Sequence, residues 1–180
     1  MQNEMDVLRD VSTKLSQAGI EYMLTGSFAM NYYAEPRMTR DIDMVVALEP
    51  KDGDLIVRMF EAEYYVPKDS VRRAIANEGQ FNIIHSQGII KVDFIVRKSE
   101  EYRSIEFDRR REVEVEDMKI WIVSKEDLII SKLYWARDSH SDLQLGDVKN
   151  LLKSGYDNSY LTTWTENLGL SDLLRECRNE

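Results

Sequence analysis

The chain reads as a mixed α/β fold: a β-sheet with flanking helices, followed by an all-helical C-terminal tail. Three observations lead there. Short β-branched and apolar segments alternate with segments of helical period through most of the sequence. Two of the strand-like segments, 81–85 and 89–96, are separated only by Ser86-Gln87-Gly88, which predicts a β-hairpin and makes part of the sheet antiparallel. After Val123 every periodic segment is helical.

Each element follows in chain order. Met5, Leu8, Val11, Leu15 and Ala18 recur at helical spacing, and Gly19 follows as a C-terminal stop. Residues 20–24 read as a short strand that runs into Thr25-Gly26-Ser27, and 28–34 as a helical turn or two ended by Pro36. Residues 41–48 form a second strand. Pro50 opens a helix to about residue 63, and Asp69 is placed to cap another over 71–78. Residues 97–117 are dense in both charge signs, and Arg109-Arg110-Arg111, bracketed by acids, is read as a solvated face. Residues 118–123 are a further strand. Ser124 caps a helix with Asp127 three residues on, close to a capping box. Helical patterns at 142–153, 158–167 and 171–178 complete the chain. The expected organisation is a core over 1–124 and a helical extension over 125–180, packed on it as one compact unit.

Composition bounds the partners. A chain of 180 residues with 43% hydrophobic side chains can bury a core without a staple. The single cysteine, Cys177, excludes an intramolecular disulfide and fits a reducing compartment. The first residues lack a basic stretch followed by an apolar run, so they do not read as a signal peptide, and no apolar run approaches membrane-spanning length. A cytoplasmic protein with no membrane partner is expected. The formal charge is −9, from 33 acidic and 24 basic residues. That field repels phosphate backbones and disfavours an extended nucleic-acid surface, although a divalent metal can reverse the sign locally.

The residues that carry chemistry begin with Asp41-Ile42-Asp43. On a strand the two carboxylates project together while Ile42, Met44 and Val46 face the core. Paired carboxylates repel; divalent ions relieve the repulsion, and oxygen ligands suit magnesium. A second such triplet, Asp52-Gly53-Asp54, follows Pro50 and reads as plain surface. Asp93 lies on the opposite face from Val92, Phe94 and Val96, where packing gives no reason for a carboxylate. Either it pairs with Lys91, Arg37 or Arg40, or it joins Asp41 and Asp43 in a two-metal site. Gly26-Ser27, between a strand and a helix, offers a tight turn, free N–H groups and a hydroxyl to an anion; a simple helix cap is the plainer alternative. In the tail, Leu143, Asp147 and Leu151 share a helix face by spacing, so Asp147 needs a partner, with Lys132 or Arg137 available. Lys132 serves either as that partner or as a triphosphate ligand. Trp121, Trp135 and Trp164 read as core, Tyr32 and Tyr33 as core or rim packing, and His85 and His140 show no catalytic spacing.

Taken together, Tyr22-Met23-Leu24-Thr25-Gly26-Ser27, Asp41-Ile42-Asp43-Met44-Val45-Val46 and Val92-Asp93-Phe94 resemble the nucleotidyltransferase superfamily related to DNA polymerase β, over about residues 20–96. Arg37-Met38-Thr39-Arg40 before the metal motif, and 127–133 with Asp147-Val148, resemble the abortive-infection (AbiEii-type) toxin nucleotidyltransferases, although the chain lacks most of their C-terminal extension. The resemblance implies a mixed-sheet nucleotidyltransferase fold that moves a nucleoside monophosphate from an NTP to an acceptor hydroxyl. Asp41, Asp43 and Asp93 would be the catalytic and metal-binding carboxylates for two Mg²⁺ ions, and Gly26, Ser27 and Lys132 would bind the nucleotide. The acceptor stays open between a small molecule, a protein side chain and an RNA end. A metal-dependent nuclease or phosphohydrolase, a catalytically degenerate regulatory module and a toxin–antitoxin component are the alternatives.

Overall fold

The computed structural model describes residues 3–178. Among these, seven strands form one sheet in the order β3-β4-β5-β2-β1-β7-β6. The strands are β1 (Tyr22–Thr25), β2 (Ile42–Val46), β3 (Tyr64–Tyr65), β4 (Gln80–His85), β5 (Lys91–Val96), β6 (Arg111–Val115) and β7 (Met118–Ile122). β1 runs antiparallel to β2 and parallel to β7, while β2 and β5 run parallel. β4 and β5 form the expected antiparallel hairpin. Its turn takes its left-handed residue at Ile89, with φ 50°, and not at Gly88.

The alternation in β2 and β5 fixes which face is which. Ile42, Met44, Val46, Val92, Phe94 and Val96 are essentially fully buried, as the period-two pattern requires. Asp43, Val45, Asp93 and Ile95 lie on the opposite face and line a cavity.

The helices are α1 (Glu4–Gln17), α2 (Gly26–Tyr33), α3 (Gly53–Phe60), α4 (Lys68–Ala76), α5 (Glu101–Asp108), α6 (Lys125–Ser139), α7 (Asp142–Leu152), α8 (Asn158–Asn167) and α9 (Ser171–Arg178). Pro50 opens a 3-10 turn over Pro50–Asp52 that runs directly into α3, so Asp52-Gly53-Asp54 starts a helix and is not a free turn; Asp54 pairs with Arg72 at 3.0 Å. α4 begins after Pro67 with Asp69 inside its first turn, where an acid favours the helix dipole without capping it. α6 starts as expected, the Ser124 hydroxyl accepting from the Asp127 amide. It packs against α2, α7 and α8, which brings the helical tail against the helix that follows the Gly26-Ser27 turn.

Residues 97–117 depart most from the sequence reading, because they contain α5 and β6. Tyr102 and Phe107 are buried among the charges, and Arg109 and Arg110 are structural rather than solvated, whereas Arg111 is exposed as expected. Arg109 stacks on Tyr160, its guanidinium 3.8 Å from the ring centroid, and donates to the fully buried Asp127 at 3.0 Å. Asp127 also accepts from the hydroxyls of Tyr160 (2.7 Å) and Tyr102 (3.1 Å). Arg110 stacks on Phe107 and Trp121 and pairs with Glu21. With the Ser124 hydroxyl, which also donates to Asp127, at 2.5 Å, four fixed partners hold a carboxylate that would otherwise be unacceptable at zero exposure.

No helix among the described residues is long and apolar enough to cross a membrane.

Candidate active site

The site is built on the β2–β5 pairing. The two strands are parallel neighbours, and their register sets Asp43 directly beside Asp93; Thr25 of β1 lies opposite Asp43 on its other side. Two carboxylates therefore face one cavity of about 490 Å³, bounded by the sheet on one side and by Leu128, Ser131, Lys132 and Trp135 of α6 on the other. Burial, and after it the charges of Asp93 and Asp41, push the Asp43 carboxyl up to about 6, against the opposing pull of Lys132 and Lys91.

Gly26 carries a geometric demand that no other residue meets. Its φ is +65°, and a Cβ at this position would stand 2.0 Å from Asp43 Oδ2 and 2.8 Å from Asp43 Cβ. The strand-to-helix turn thus presses its bare backbone against the Asp43 side chain, and any side chain would displace the carboxylate.

Asp41 precedes β2, is exposed, and does not line the cavity wall. It is tied to the other acids through Lys91, whose ammonium lies 2.8 Å from Asp93 Oδ2 and 3.5 Å from Asp41 Oδ2. The Asp93 hydrogen bond is the first cause holding the Lys91 ammonium above its ordinary range. The salt bridge considered for Asp93 therefore forms with Lys91, while Arg37 goes elsewhere. Among the described residues, no three or more His, Cys, Asp or Glu side chains are grouped closely enough to hold a metal ion between them. The strands bring Asp43 and Asp93 side by side, and Asp41 joins them across an ammonium.

A second network begins at Ser27. Arg37 donates to the Ser27 hydroxyl at 2.7 Å and forks onto both carboxylate oxygens of Asp147, at 2.8 and 2.9 Å. Lys132 reaches the same carboxylate at 2.7 Å, with both side chains almost fully buried, and touches Gln144 at 3.2 Å. Burial alone would raise the Asp147 carboxyl, but the hydrogen bonds from Arg37 and Lys132 hold it below its usual range. Burial pushes the Lys132 ammonium down despite Asp147. Lys132 is thus both an ion-pair partner and a wall of the cavity. The other cation considered for Asp147, Arg137, pairs instead with Asp138. On α7, Leu145, Asp147, Val148 and Leu151 are buried and Leu143 is exposed, so the stripe runs through Leu145 rather than Leu143.

Several wall residues escaped the sequence reading. Glu106 is buried against Arg103 (2.8 Å) and Ser131 (2.6 Å), and all three line the cavity with Tyr134. Trp135, expected in the core, is half-exposed on the cavity side; Trp121 also lies at the surface, and Trp164 packs partly buried against Tyr102. Tyr33 donates its hydroxyl to the Val123 carbonyl, and Tyr32 stays exposed at the rim.

No protein-family model matches the chain, and no curated protein matches it. Solved structures do. The lincomycin-bound lincosamide antibiotic adenylyltransferase LnuA is similar over 83% of this chain and 96% of its own, with 15% identity and a TM-score of 0.54. An antigenic nucleotidyltransferase-like protein from Paracoccidioides brasiliensis is similar over 96% and 92%, with 17% identity and a TM-score of 0.59. The antibiotic-resistance factor ANT(2'')-Ia is similar over 96% and 89%, with 11% identity and a TM-score of 0.53. At these identities the likeness is one of fold. The chain has the nucleotidyltransferase fold, in agreement with the expectation drawn from Gly26-Ser27, Asp41-Ile42-Asp43 and Asp93.

Proposed function

We propose that the protein is a magnesium-dependent nucleotidyltransferase that moves a nucleoside monophosphate from an NTP to an acceptor hydroxyl. The observation that carries the reading is the Asp43–Asp93 pair on adjacent parallel strands, with Gly26 packed against Asp43 at the mouth of a helix.

The donor set fits a hard divalent cation. It offers only carboxylate oxygens from Asp41, Asp43 and Asp93, and the Asp43 carboxyl is raised first by burial and then by the charges of Asp93 and Asp41, which a divalent ion would offset. Asp41, Asp43 and Asp93 would hold two magnesium ions, which would neutralise charge on the triphosphate and polarise the attacking oxygen.

The chain's own groups supply the rest. The first N–H groups of α2 and the Ser27 hydroxyl, oriented by Arg37, receive the β- and γ-phosphates. Lys132, at the cavity wall, offsets further phosphate charge while Asp147 holds it in place. The acceptor oxygen bonds to the α-phosphorus, the bond from that phosphorus to the β-phosphate oxygen breaks, and pyrophosphate leaves. Asp93 takes the hydroxyl proton. Because Lys132 and Asp147 come from 125–180, the core over 1–124 and the helical extension work as one unit. A free hydroxyl on a small molecule or on a structured end suits a cavity of this size better than a long nucleic-acid tract does, given the −9 charge.

The direct test is incubation with magnesium, each α-labelled NTP and a panel of hydroxyl-bearing acceptors. Label should move to an acceptor in the wild type and not in Asp43→Ala. Transfer by the variant at the wild-type rate refutes the assignment.

A further inference from the structure

The cation between Asp41 and Asp93 is the chain's own. We propose that Lys91 is an internal counter-ion occupying the position a divalent ion would take between these carboxylates, and that it thereby sets how tightly the site binds metal. The inference rests on the metal-dependent reading above.

The placement follows from the strand. Lys91 precedes Asp93 by two residues on β5, so both side chains leave the same face. Its ammonium then lies 2.8 Å from Asp93 and 3.5 Å from Asp41, bridging acids from two segments of the chain. Three of the other cations lining the cavity have different commitments: Lys132 is held by Asp147 and Gln144, Arg103 by Glu106 and Ser131, and Arg97 stacks on Phe107.

Two consequences follow. Without metal, the ammonium screens a cluster of three acids and lets the β2–β5 pairing bring Asp43 and Asp93 together. With metal, the same oxygen lone pairs must be surrendered, so a single positive charge competes with a double one for one place. The Lys91 side chain is 38% exposed and sits on a flexible stem, so its head can withdraw into solvent as the ion enters. Metal affinity is therefore lower than the three carboxylates alone would give.

The test is calorimetric titration of Mg²⁺ and Mn²⁺ into nucleotide-free wild type, Lys91→Met and Lys91→Arg, with melting in chelator alongside. Lys91→Met should bind metal about tenfold more tightly. It should melt lower in chelator and gain more on adding metal, whereas Lys91→Arg should behave as wild type. Should Lys91→Met not fold, Lys91→Gln keeps a polar head without the charge and should show the same gain. Equal or weaker metal binding by a folded, uncharged variant overturns the counter-ion role. Absence of divalent binding in the wild type and in every variant overturns the metal-dependent reading itself, so the two failures are told apart.

Discussion

Replacing Gly26 by alanine tests the contact on which the site is built. Two costs add. The left-handed backbone, φ +65°, costs an L-residue about 1–2 kcal/mol. The added methyl would stand 2.0 Å from Asp43 Oδ2 and 2.7 Å from its Cγ, so the carboxylate must leave its rotamer or the turn must move, at about 1–3 kcal/mol. The sum is about 2–5 kcal/mol, and for a chain of this length roughly 2–4 °C of melting temperature is lost per kcal/mol. Thermal melts should therefore fall by about 5–15 °C, and nucleotide binding should be lost with the displaced carboxylate. A double-mutant cycle with Asp43→Gly separates the two costs. Deleting the Asp43 side chain should remove the steric part and leave the backbone part, giving a coupling of at least about 1 kcal/mol. If Gly26→Ala melts within a degree or two of wild type, or costs the same with and without the Asp43 side chain, the close-approach argument fails.

Other perturbations have equally definite signs. The Asp43 carboxyl is raised to about 6 in the folded protein, so in metal-free buffer the folded state binds the extra proton between its ordinary pKa near 3.8 and 6. Its contribution is present below that window and is lost as pH rises through 6; Asp43→Asn should gain on wild type by about 2–3 kcal/mol at pH 7 but little at pH 4, measured by urea melts, and a parallel pH dependence in both proteins would contradict this. Lys132→Ala should cost about 2–4 kcal/mol, and Asp147→Ala more, because Arg37 still compensates Asp147 in the first variant while the second strands two cations; the reverse order in urea melts would refute the network. Asp127→Ala, at a carboxylate that does not line the cavity, should cost about 3–5 kcal/mol by stranding Arg109 and two tyrosine hydroxyls, and a loss under 1 kcal/mol would contradict that bonding. Ile89→Gly should raise stability by about 1 kcal/mol in urea melts, since a β-branched residue at φ 50° is strained; a loss would show that its side chain packs.

The legible parts of the chain are those where one periodicity serves one buried face. β2 and β5 alternate cleanly, so the faces of Asp43 and Asp93 can be read from the residues between them, whereas their side-by-side register depends on which strands pair and is visible only in the sheet. Gly26 reads as a turn residue; that it also makes room for Asp43 is a long-range fact. α5 was hidden because its buried side chains, Tyr102 and Phe107, stand among charges, and because its glutamate Glu106 is itself buried against Arg103 and Ser131. Arg109 and Arg110 likewise look solvated beside their acidic neighbours in sequence, while their partners Tyr160, Asp127 and Trp121 come from other elements. α6 is buried on every side through Leu133, so hydrophobic period carries no facial information there, and the position of Trp135 facing the cavity could not be inferred from it. The Arg37 link from Ser27 to Asp147 joins residues 10 and 110 positions from Arg37 and has no local signature.

The central claim is that Asp43 and Asp93 hold the divalent ion through which an NTP is bound. Equilibrium titration of each NTP into wild type, Asp43→Ala and Asp93→Ala, with magnesium and with chelator, tests it without knowledge of the acceptor. Binding should require magnesium in the wild type and should be weakened at least about a hundredfold in either variant, with the fold retained. Equal binding in chelator, or undiminished magnesium-dependent binding by the variants, would contradict it.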